Sequence, residues 1–421
     1  MKALRIDLVA PPFAGHLHPI LGVARRLARD HQVRVLSTER ARGEIAAAGL
    51  AGVPLLAGCD EAIAAIADPP RPVGSNPIRL HQQLRANLAL LDRFQAELRQ
   101  IWATDRPDLL LADFTLPVAG SVARELGIPW WTTHPSPCVI ETTDGPPAYF
   151  GGWAPGRSAL GRLRDGAGRR LTRGFKRLVH RLHRRQLIGL GLPSIYRSDG
   201  SEAVYSDQRI LALGLPEFEL PRRWPSSVRL VGPILYTPPR PSNRPGPLFR
   251  DGRRHVLVTL GTHLGPHKEA MAAAARRAAM RLPAIEFHLS DGEAGSDRSE
   301  SSGNFQRLGY VSYAEHLERY DLVVHHGGAG VLYHTLRAGL PAVVIPIDYD
   351  QPDHATRLEI AGLAHRLRSL DDLPRLVDRA LADGDLLANC RRFQSLLAPG
   401  LAEDRIAALV GAVTREGCQT P

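Results

Sequence analysis

A strand, a glycine-rich turn and a helix within residues 309–355 constrain the fold of this chain more than any other feature. A short apolar run rich in β-branched residues, 322–324, predicts a buried strand. The glycine-rich segment 327–330 follows directly, and apolar residues then recur at helical spacing until the sequence Gly-Leu-Pro at 339–341 predicts the helix end. Because another apolar run, 342–347, predicts the next strand, the stretch forms a small α/β unit.

The turn in this unit is suited to hold a phosphate group. Where a strand, a glycine-rich turn and a helix start meet, backbone N–H groups stay unpaired and the helix dipole favours negative charge. His326 is placed to donate to a phosphate oxygen, and Asp350 and Gln351, which suit sugar hydroxyls, leave the next strand at the same sheet edge. Together these groups indicate a nucleotide sugar. The alternative is a tight connection only, which is the commoner use of such a turn on its own.

The segments HHGGAG, AGLP and, further on, DQ resemble the donor-binding motif of the GT-B glycosyltransferases of family one, which use nucleotide-activated sugars. The resemblance covers nearly the whole chain. It implies an α/β fold of two facing Rossmann-like domains with a cleft between them, and an inverting transfer that needs no cofactor and no metal ion. The donor-binding residues that it implies are Thr262, Tyr310, Val311, His326, Gly327, Gly328, Ala329, Gly330, Val331, Asp350 and Gln351.

Three positions depart from the family pattern. His334 stands where plant members carry a glutamate on the ribose hydroxyls, Val331 replaces a serine or threonine that touches phosphate, and Tyr313 replaces a glutamine. These departures leave the choice between a UDP-sugar and a dTDP-sugar open.

The N-terminal segment PPFAGHLHP places a histidine at the mouth of a strand-loop-helix turn. Residues 4–10 predict a strand, and the prolines and glycine after it predict a loop that keeps His16 ahead of a helix starting near Pro19. A histidine at this sheet edge can take a proton near neutral pH, although caps and loop hydrogen bonds are commoner uses. The segment resembles the family's G-H-x-x-P element, which implies that His16 is the general base and that His18 is structural.

A carboxylate at a neighbouring strand end would orient such a base and stabilise its protonated form. Residues 109–111 predict a strand that ends at Asp113. Asp113 matches the family's orienting aspartate, and the alternative is a helix cap.

The resemblance also implies an acceptor pocket, lined by the helical stretch that runs to Leu98 and by the loop of residues 130–153. Aromatic side chains there would form an apolar surface for an aromatic or lipid-like acceptor, although tryptophans are equally common in a core. The candidate acceptor residues are Phe13, Trp130, Trp131, Tyr149 and Phe150.

A chain of 421 residues is too long for one ordinary core and predicts two domains. The sequence Val-Gly-Pro at 231–233 and a run with five prolines set the boundary. We expect an acceptor domain at 1–235, a stiff linker at 236–250, a nucleotide-sugar domain at 251–400 and a last helix within 401–421 that returns to the first domain.

The formal charge of +10 and the isoelectric point near 9.9 invite a nucleic-acid reading, but no stacking motif or recognition helix accompanies them. No run approaches the roughly 20 apolar residues of a membrane span. The four cysteines are scattered, with no C-x-x-C pair and no metal-ligand spacing, which predicts a reducing cytoplasm and no structural disulfide. The sequence leaves a monomer and a homodimer both open.

Residues 157–185 form the most biased segment, with eleven lysines and arginines against one acid, Asp165. Apolar residues recur in it at helical intervals. Such a helix can make peripheral contact with an anionic membrane. The favoured alternative is an ordinary solvated helix packed on its own domain.

These features predict an inverting transferase that moves a sugar from a UDP- or dTDP-sugar to a hydroxyl of a hydrophobic small molecule. Two rivals share the architecture: a nucleotide-sugar epimerase and a non-catalytic protein that binds nucleotide sugars. A nucleic-acid-binding protein is the least favoured interpretation.

Overall fold

The computed structural model describes residues 3–67, 77–239 and 245–416, which form two seven-stranded sheets. We call the first sheet with its helices the first lobe and the second sheet with its helices the second lobe. The strands of the first sheet are β1 (Arg5–Val9), β2 (Gln32–Thr38), β3 (Ala51–Leu55), β4 (Leu109–Asp113), β5 (Trp130–His134), β6 (Ile210–Ala212) and β7 (Val228–Leu230). Those of the second are β8 (Arg254–Thr259), β9 (Ile285–Ser290), β10 (Ser299–Ser302), β11 (Phe305–Leu308), β12 (Leu322–His325), β13 (Ala342–Val344) and β14 (Ala364–Arg366).

Both sheets are doubly wound. The first has the order β3-β2-β1-β4-β5-β6-β7 with every pair parallel. The second has the order β10-β11-β9-β8-β12-β13-β14, parallel except for its edge pair β10 and β11. Helices cover both faces of a parallel sheet, so its central strands become continuous apolar runs. Accordingly, every residue of β4 and β12 is buried.

The helices complete the two lobes. They are α1 (Ala14–Leu27), α2 (Arg42–Ala47), α3 (Asp60–Ala67), α4 (Pro77–Thr104), α5 (Pro117–Glu125), α6 (Ala159–Leu182), α7 (Arg184–Gly189), α8 (Gly265–Arg281), α9 (Tyr313–His316), α10 (Ala329–Arg337), α11 (Gln351–Ile360), α12 (Leu373–Ala382), α13 (Gly384–Gln394) and α14 (Leu401–Glu416). None of the helices in the described ranges combines the length and the apolar content that a bilayer crossing requires.

The strand order shows where each sheet is expected to bind a ligand. In each sheet the order reverses beside one strand, β1 in the first and β8 in the second. Ligands of doubly wound sheets bind outside the carboxyl ends of the strands at this point. In the first sheet, His16 follows β1 and Asp113 is the last residue of β4, so both lie at this edge. In the second sheet, the segments that follow β8 and β12 lie at the corresponding edge.

Buried contacts join the lobes. Leu215 and Phe218, from the loop after β6, pack in one apolar cluster with residues of α10 and α11. Beside them Arg357 donates from Nε to Glu219 at 2.9 Å, and both side chains are at most 3% exposed. The last helix, α14, crosses back and packs its Ile406 into the core of the first lobe.

The predicted linker 236–250 falls between β7 and β8. Its residues 240–244 lie outside the described part of the chain, as do residues 417–421 of the predicted C-terminal segment.

Candidate active site

A cavity of about 1000 Å³ opens between the two lobes, at the carboxyl ends of both sheets. His16 lines it from the first lobe, and His326 lines it from the second. The ring of Phe13 meets the ring of His263 across it, with centroids 5.2 Å apart. The two half-sites predicted from the sequence therefore share one cavity.

His16 lies in the first turn of α1, where the sequence predicted a loop. The backbone N–H groups of His16 and Leu17 donate to the carbonyl of Phe13 at 2.9 and 2.7 Å, so the helix begins at Ala14. The prediction that the helix starts near Pro19 was wrong. Pro19 lies inside this helix. It cannot donate the hydrogen bond back to residue 15 and its ring crowds that carbonyl, but the turn before it, closed by the bonds to Phe13, forms nevertheless.

Asp113 holds the ring of His16. The Nδ1–H of His16 donates to the carboxylate at 3.0 and 3.1 Å, across 97 positions of sequence. The carboxylate also accepts from the backbone N–H and the hydroxyl of Thr115, at 3.0 and 2.5 Å. Because a carboxylate only accepts, Nδ1 carries the proton and Nε2 is the basic atom of the ring. Asp113 is 1% exposed and His16 is 25% exposed, so the acid lies behind the base.

Opposing effects set the pKa values of this pair. Burial lowers the pKa of His16, but the charge of Asp113, its hydrogen bond and the charge of Asp350 raise it, and the net pKa lies above its ordinary value. Burial raises the pKa of Asp113, but the charge and hydrogen bond of His16 and the hydrogen bonds from Thr115 lower it below its usual range. The carboxylate thus stays ionised and favours a proton on the imidazole.

An aromatic stack supports the same ring. Phe114 stacks on His16 with centroids 5.6 Å apart and on His134 with centroids 4.0 Å apart. Burial lowers the pKa of His134 to about 3, so this second imidazole is neutral at physiological pH. Sequence reasoning missed Phe114 and Thr115, although both follow the predicted acid directly on the chain.

In the second lobe the turn from β12 to α10 leaves no room for side chains. Gly327 has φ +93°, which favours glycine, and a Cβ on Gly328 would lie 2.3 Å from Nε2 of His326. Gly328 is the N-cap of α10 and offers no side chain to the first N–H groups of the helix. The turn therefore presents backbone donors and the positive end of a helix dipole to the cavity.

His326 sits against this turn as a neutral, half-buried imidazole. Burial lowers its pKa to about 4, against smaller opposing effects of Asp350 and of a backbone hydrogen bond with Thr259. The residue lines the cavity, so its ring can meet a ligand there. The preceding His325 serves the turn itself, since its Nδ1 accepts from the N–H of Gly327 at 3.0 Å.

Asp350 and Gln351 follow β13 and reach the same cavity. Asp350 accepts a short hydrogen bond from the hydroxyl of Ser136, which crosses from the first lobe. The amide oxygen of Gln351 accepts from the N–H groups of Ile347 and Asp348 at 2.9 and 3.0 Å, so it fixes its own loop. The Asp350 carboxylate thus links the two lobes at the cavity, whereas the glutamine oxygen is engaged within its own loop.

Comparison with known proteins agrees with this arrangement. Residues 256–389 match the glycosyltransferase family 28 C-terminal domain. The O-mycaminosyltylonolide 6-deoxyallosyltransferase of Streptomyces fradiae is 30% identical over 215 residues, 48% of this chain and 49% of that protein. The zeaxanthin glucosyltransferase of Pseudescherichia vulneris is 25% identical over 376 residues, 86% of this chain and 85% of that protein.

Solved structures give the same fold over the whole chain. The glycosyltransferase of kitacinnamycin superposes with a TM-score of 0.74 at 23% identity, covering 98% of this chain and 99% of that one. The calicheamicin glycosyltransferase gives 0.71 at 20% identity and covers 100% of both chains. These neighbours show the fold: this chain has the GT-B fold of two Rossmann-like domains. The predicted fold class is confirmed.

Most of the predicted site residues line the cavity. Asp113 lies behind His16, and Gly327 turns its carbonyl to Nδ1 of His354 at 2.8 Å. The predicted residues that line the cavity are Phe13, His16, Tyr149, Thr262, Tyr310, His326, Gly328, Ala329, Gly330, Val331, Asp350 and Gln351.

Four of the predicted site residues lie elsewhere. Trp130 and Trp131, 4% and 2% exposed, pack into two different cores on opposite faces of β5, so the core alternative holds for both. Phe150 packs edge-to-face on Trp153 at 5.2 Å. Val311 is 1% exposed in the cluster around Leu308 and Leu317. None of the four is among the residues that line the cavity in the described ranges.

Helices form much of the cavity wall on the first lobe. Residues of α3 and α4, within the stretch that the resemblance implied, line it with apolar side chains. The C-terminal half of α6 lines it too, which sequence reasoning missed. The apolar side chains of α4 and α6 in this wall include Leu84, Leu91, Phe94, Phe175, Leu178, Val179 and Leu182.

The fold also brings together three groups that could hold a metal ion. One ligand atom each of Cys138, Asp350 and His354 lies within 4.8 Å of the others, beside the cavity. Their separation in sequence hid this group from spacing arguments. A thiol, a carboxylate and an imidazole are ligands that suit Zn²⁺.

Proposed function

We propose that this enzyme transfers a sugar, with inversion, from a UDP- or dTDP-sugar to a hydroxyl of a hydrophobic small molecule. The observation that carries the proposal is the oriented base His16, which faces the anion-binding turn of α10 within one cavity. A base and an anion site on opposite walls fit a displacement in which the acceptor attacks from one side and the diphosphate leaves on the other.

The chemical step uses His16 as general base. The acceptor oxygen attacks the anomeric carbon, its proton passes to Nε2 of His16, and the bond between that carbon and the diphosphate oxygen breaks with its electron pair on the diphosphate. Asp113 stabilises the imidazolium that forms. Attack opposite to the leaving group inverts the anomeric configuration.

The second lobe meets the leaving group. Backbone N–H groups at the start of α10, His326 and Thr262 line the cavity where negative charge develops on the diphosphate. Asp350 and Gln351 lie beside them and can bind the sugar hydroxyls. Tyr310 also lines the cavity and can stack its ring on the nucleobase. Two structural neighbours were solved with thymidine diphosphate, which supports a dTDP-sugar as the first donor to test.

The apolar helical wall supports a lipophilic acceptor. A cavity of about 1000 Å³ accommodates a drug-sized molecule beside a nucleotide sugar. The relatives named for zeaxanthin and for O-mycaminosyltylonolide are consistent with acceptors of this class.

The test is to incubate the enzyme with α-linked dTDP- and UDP-sugars and a panel of lipophilic alcohols, and to read the anomeric configuration of the product by NMR. We expect a β-glycoside and release of the nucleoside diphosphate. An α-glycoside would contradict inversion. An altered nucleotide sugar formed without any acceptor would identify an epimerase, and donor binding without turnover on any alcohol would identify a binding protein.

A further inference from the structure

The long helix α6 exposes an apolar stripe along its whole length. Six of its large apolar side chains are between 54% and 76% exposed, and they fall within about 120° of one another on a helical wheel. The stripe runs for about six turns, or roughly 30 Å. We call these residues the α6 stripe: Leu160, Leu163, Leu171, Phe175, Leu178 and Leu182.

The opposite, polar face of α6 is the one that packs on the protein. Lys176 bridges Glu141 and Glu202 at 2.6 and 2.7 Å, and Arg173 donates to Glu141 at 2.9 Å. Asp165, the single acid of the segment, is 3% exposed. An ordinary surface helix buries its apolar face and shows its polar face to water. Because α6 is oriented the other way, the favoured prediction of an ordinary solvated helix does not describe it.

The stripe is continuous with the acceptor side of the cavity. Phe175, Leu178 and Leu182 line the cavity and are nevertheless more than half exposed, so this part of α6 is the rim of the opening. Leu160, Leu163 and Leu171 extend the same apolar surface away from the opening along the outside of the first lobe. Apolar patches of this length on a soluble surface mark an interaction site.

The charge beside the stripe selects the partner. The arginines at 170, 177 and 181 are exposed beside it on α6, as are those at 184 and 185 on α7, whereas the one acid of the segment is buried and paired with Arg164. An apolar stripe flanked only by cations complements a layer of anionic headgroups over acyl chains. A twofold contact with a second copy would instead bring arginine against arginine, since such an interface pairs a patch with itself.

We propose that α6 lies on an anionic lipid surface, with its stripe in the boundary between headgroups and acyl chains, and that the lipophilic acceptor enters the cavity from that surface. The lipid contact stands on the stripe and its arginines alone. The entry route rests in addition on the proposed function, because it requires that the cavity receive an acceptor.

The experiment is co-sedimentation of the full chain with sonicated vesicles of phosphatidylcholine containing phosphatidylglycerol, and with vesicles of phosphatidylcholine alone. We expect binding to the anionic vesicles, at least about tenfold weaker binding to the neutral ones, and loss of binding as salt is raised. The variant L160S/L163S/L171S should bind at least about tenfold more weakly, since all three side chains are exposed and lie outside the cavity wall.

A matched control separates this effect from general surface polarity. Met280 and Ile360 are 73% and 51% exposed on the second lobe, away from α6. The variant M280S/I360S should bind vesicles like the original chain. Equal loss in both variants, or no vesicle binding by the original chain, would overturn the lipid contact.

Sedimentation velocity and turnover assays distinguish the lipid contact from a dimer interface and from the proposed function. If sedimentation velocity shows a dimer that L160S/L163S/L171S converts to a monomer while vesicles are not bound, the stripe is an interface between copies and the lipid proposal fails. With a water-soluble alcohol, L160S/L163S/L171S should turn over at the original rate. Loss of turnover on acceptor supplied in vesicles alone supports entry from the lipid, whereas absence of turnover under every condition contradicts the proposed function and leaves the vesicle result standing.

Discussion

The two walls of the cavity are built in different ways. On the second lobe, the groups that face the cavity sit at strand ends and in the turns that follow them, as His326 and Asp350 do after β12 and β13. On the first lobe, strand ends and the turns after them also line the cavity, as His16 and Ser136 do, but a large apolar part of the wall comes from the sides of α3, α4 and α6. Under the proposed function, this difference implies a division of roles: the strand ends supply chemistry and donor binding, and the helices supply acceptor binding. Variants on each wall should separate these roles.

The largest effect is expected at His16. H16A should lower kcat by about 10³-fold or more, the loss expected when a general base is removed, while the affinity for the donor stays nearly unchanged. The measurement is product formation under saturating donor, together with donor binding by thermal shift.

A second histidine-aspartate pair provides the matched control for this variant. His365 contacts Asp383 at 3.1 Å on the second lobe, with both side chains partly exposed and outside the cavity lining. H365A should keep its turnover. If H16A also turned over at nearly the original rate, His16 would have no role as base.

The second-largest loss of kcat is expected at Asp113. D113N should lower kcat by about 10²- to 10³-fold, because an amide no longer stabilises the imidazolium or fixes the proton on Nδ1. Donor binding should again be unchanged, which separates this loss from damage to the second lobe. A fall of less than threefold would mean that the carboxylate acts only as the cap of the turn at Thr115.

The pH dependence of D113N shows in which direction Asp113 shifts the pKa of His16. His16 must be unprotonated to act as base, and its pKa lies above the ordinary value, so the acidic limb of kcat/KM should lie above pH 6.5. In D113N the charge of Asp113, which raises the pKa of His16, is lost, while burial, which lowers that pKa, remains. The limb should therefore move to lower pH, and an unmoved limb would assign it to another group.

The same comparison explains which parts of the site the sequence could predict. His16 and Asp113 are 97 positions apart, yet each was placed correctly because parallel strands bring their carboxyl ends to one edge. Trp130 and Trp131 were misplaced because neighbouring residues of a strand point to opposite faces, and both faces of a parallel sheet are covered. The α6 wall was missed because its apolar face looks outward, against the usual orientation of a surface helix.

On the second lobe, variants should act on donor affinity. G328A should raise the donor KM by about 10- to 100-fold, because the added Cβ would lie 2.3 Å from Nε2 of His326 and must displace the ring from the turn. Its kcat for bound donor should fall less than in H16A. Gly384, at the start of α13, has open space around it and provides the control G384A. An unchanged donor KM in G328A would contradict the role of the turn in phosphate binding.

A smaller effect is expected on the helical wall. F175A removes a cavity-lining ring that is 56% exposed, so the fold should tolerate it. We expect the acceptor KM to rise about fivefold, from the loss of part of one apolar contact, with donor KM and kcat unchanged. Steady-state kinetics with a detergent-dispersed acceptor measure this, and M280A controls for surface polarity. A change in the donor KM of F175A would contradict the assignment of acceptor binding to the helical wall.

The smallest effect is expected from removing metal ions. Transfer should be unchanged by a chelator such as EDTA, although Cys138, Asp350 and His354 lie close enough to share an ion. Burial raises the pKa of the Cys138 thiol well above its usual range, and a neutral thiol is a poor ligand. Asp350 is engaged by Ser136, and Nδ1 of His354 donates to the carbonyl of Gly327 at 2.8 Å. If EDTA did abolish turnover and Zn²⁺ restored it, these three side chains would be the first to replace, and the donors of α10 would not suffice for the leaving group.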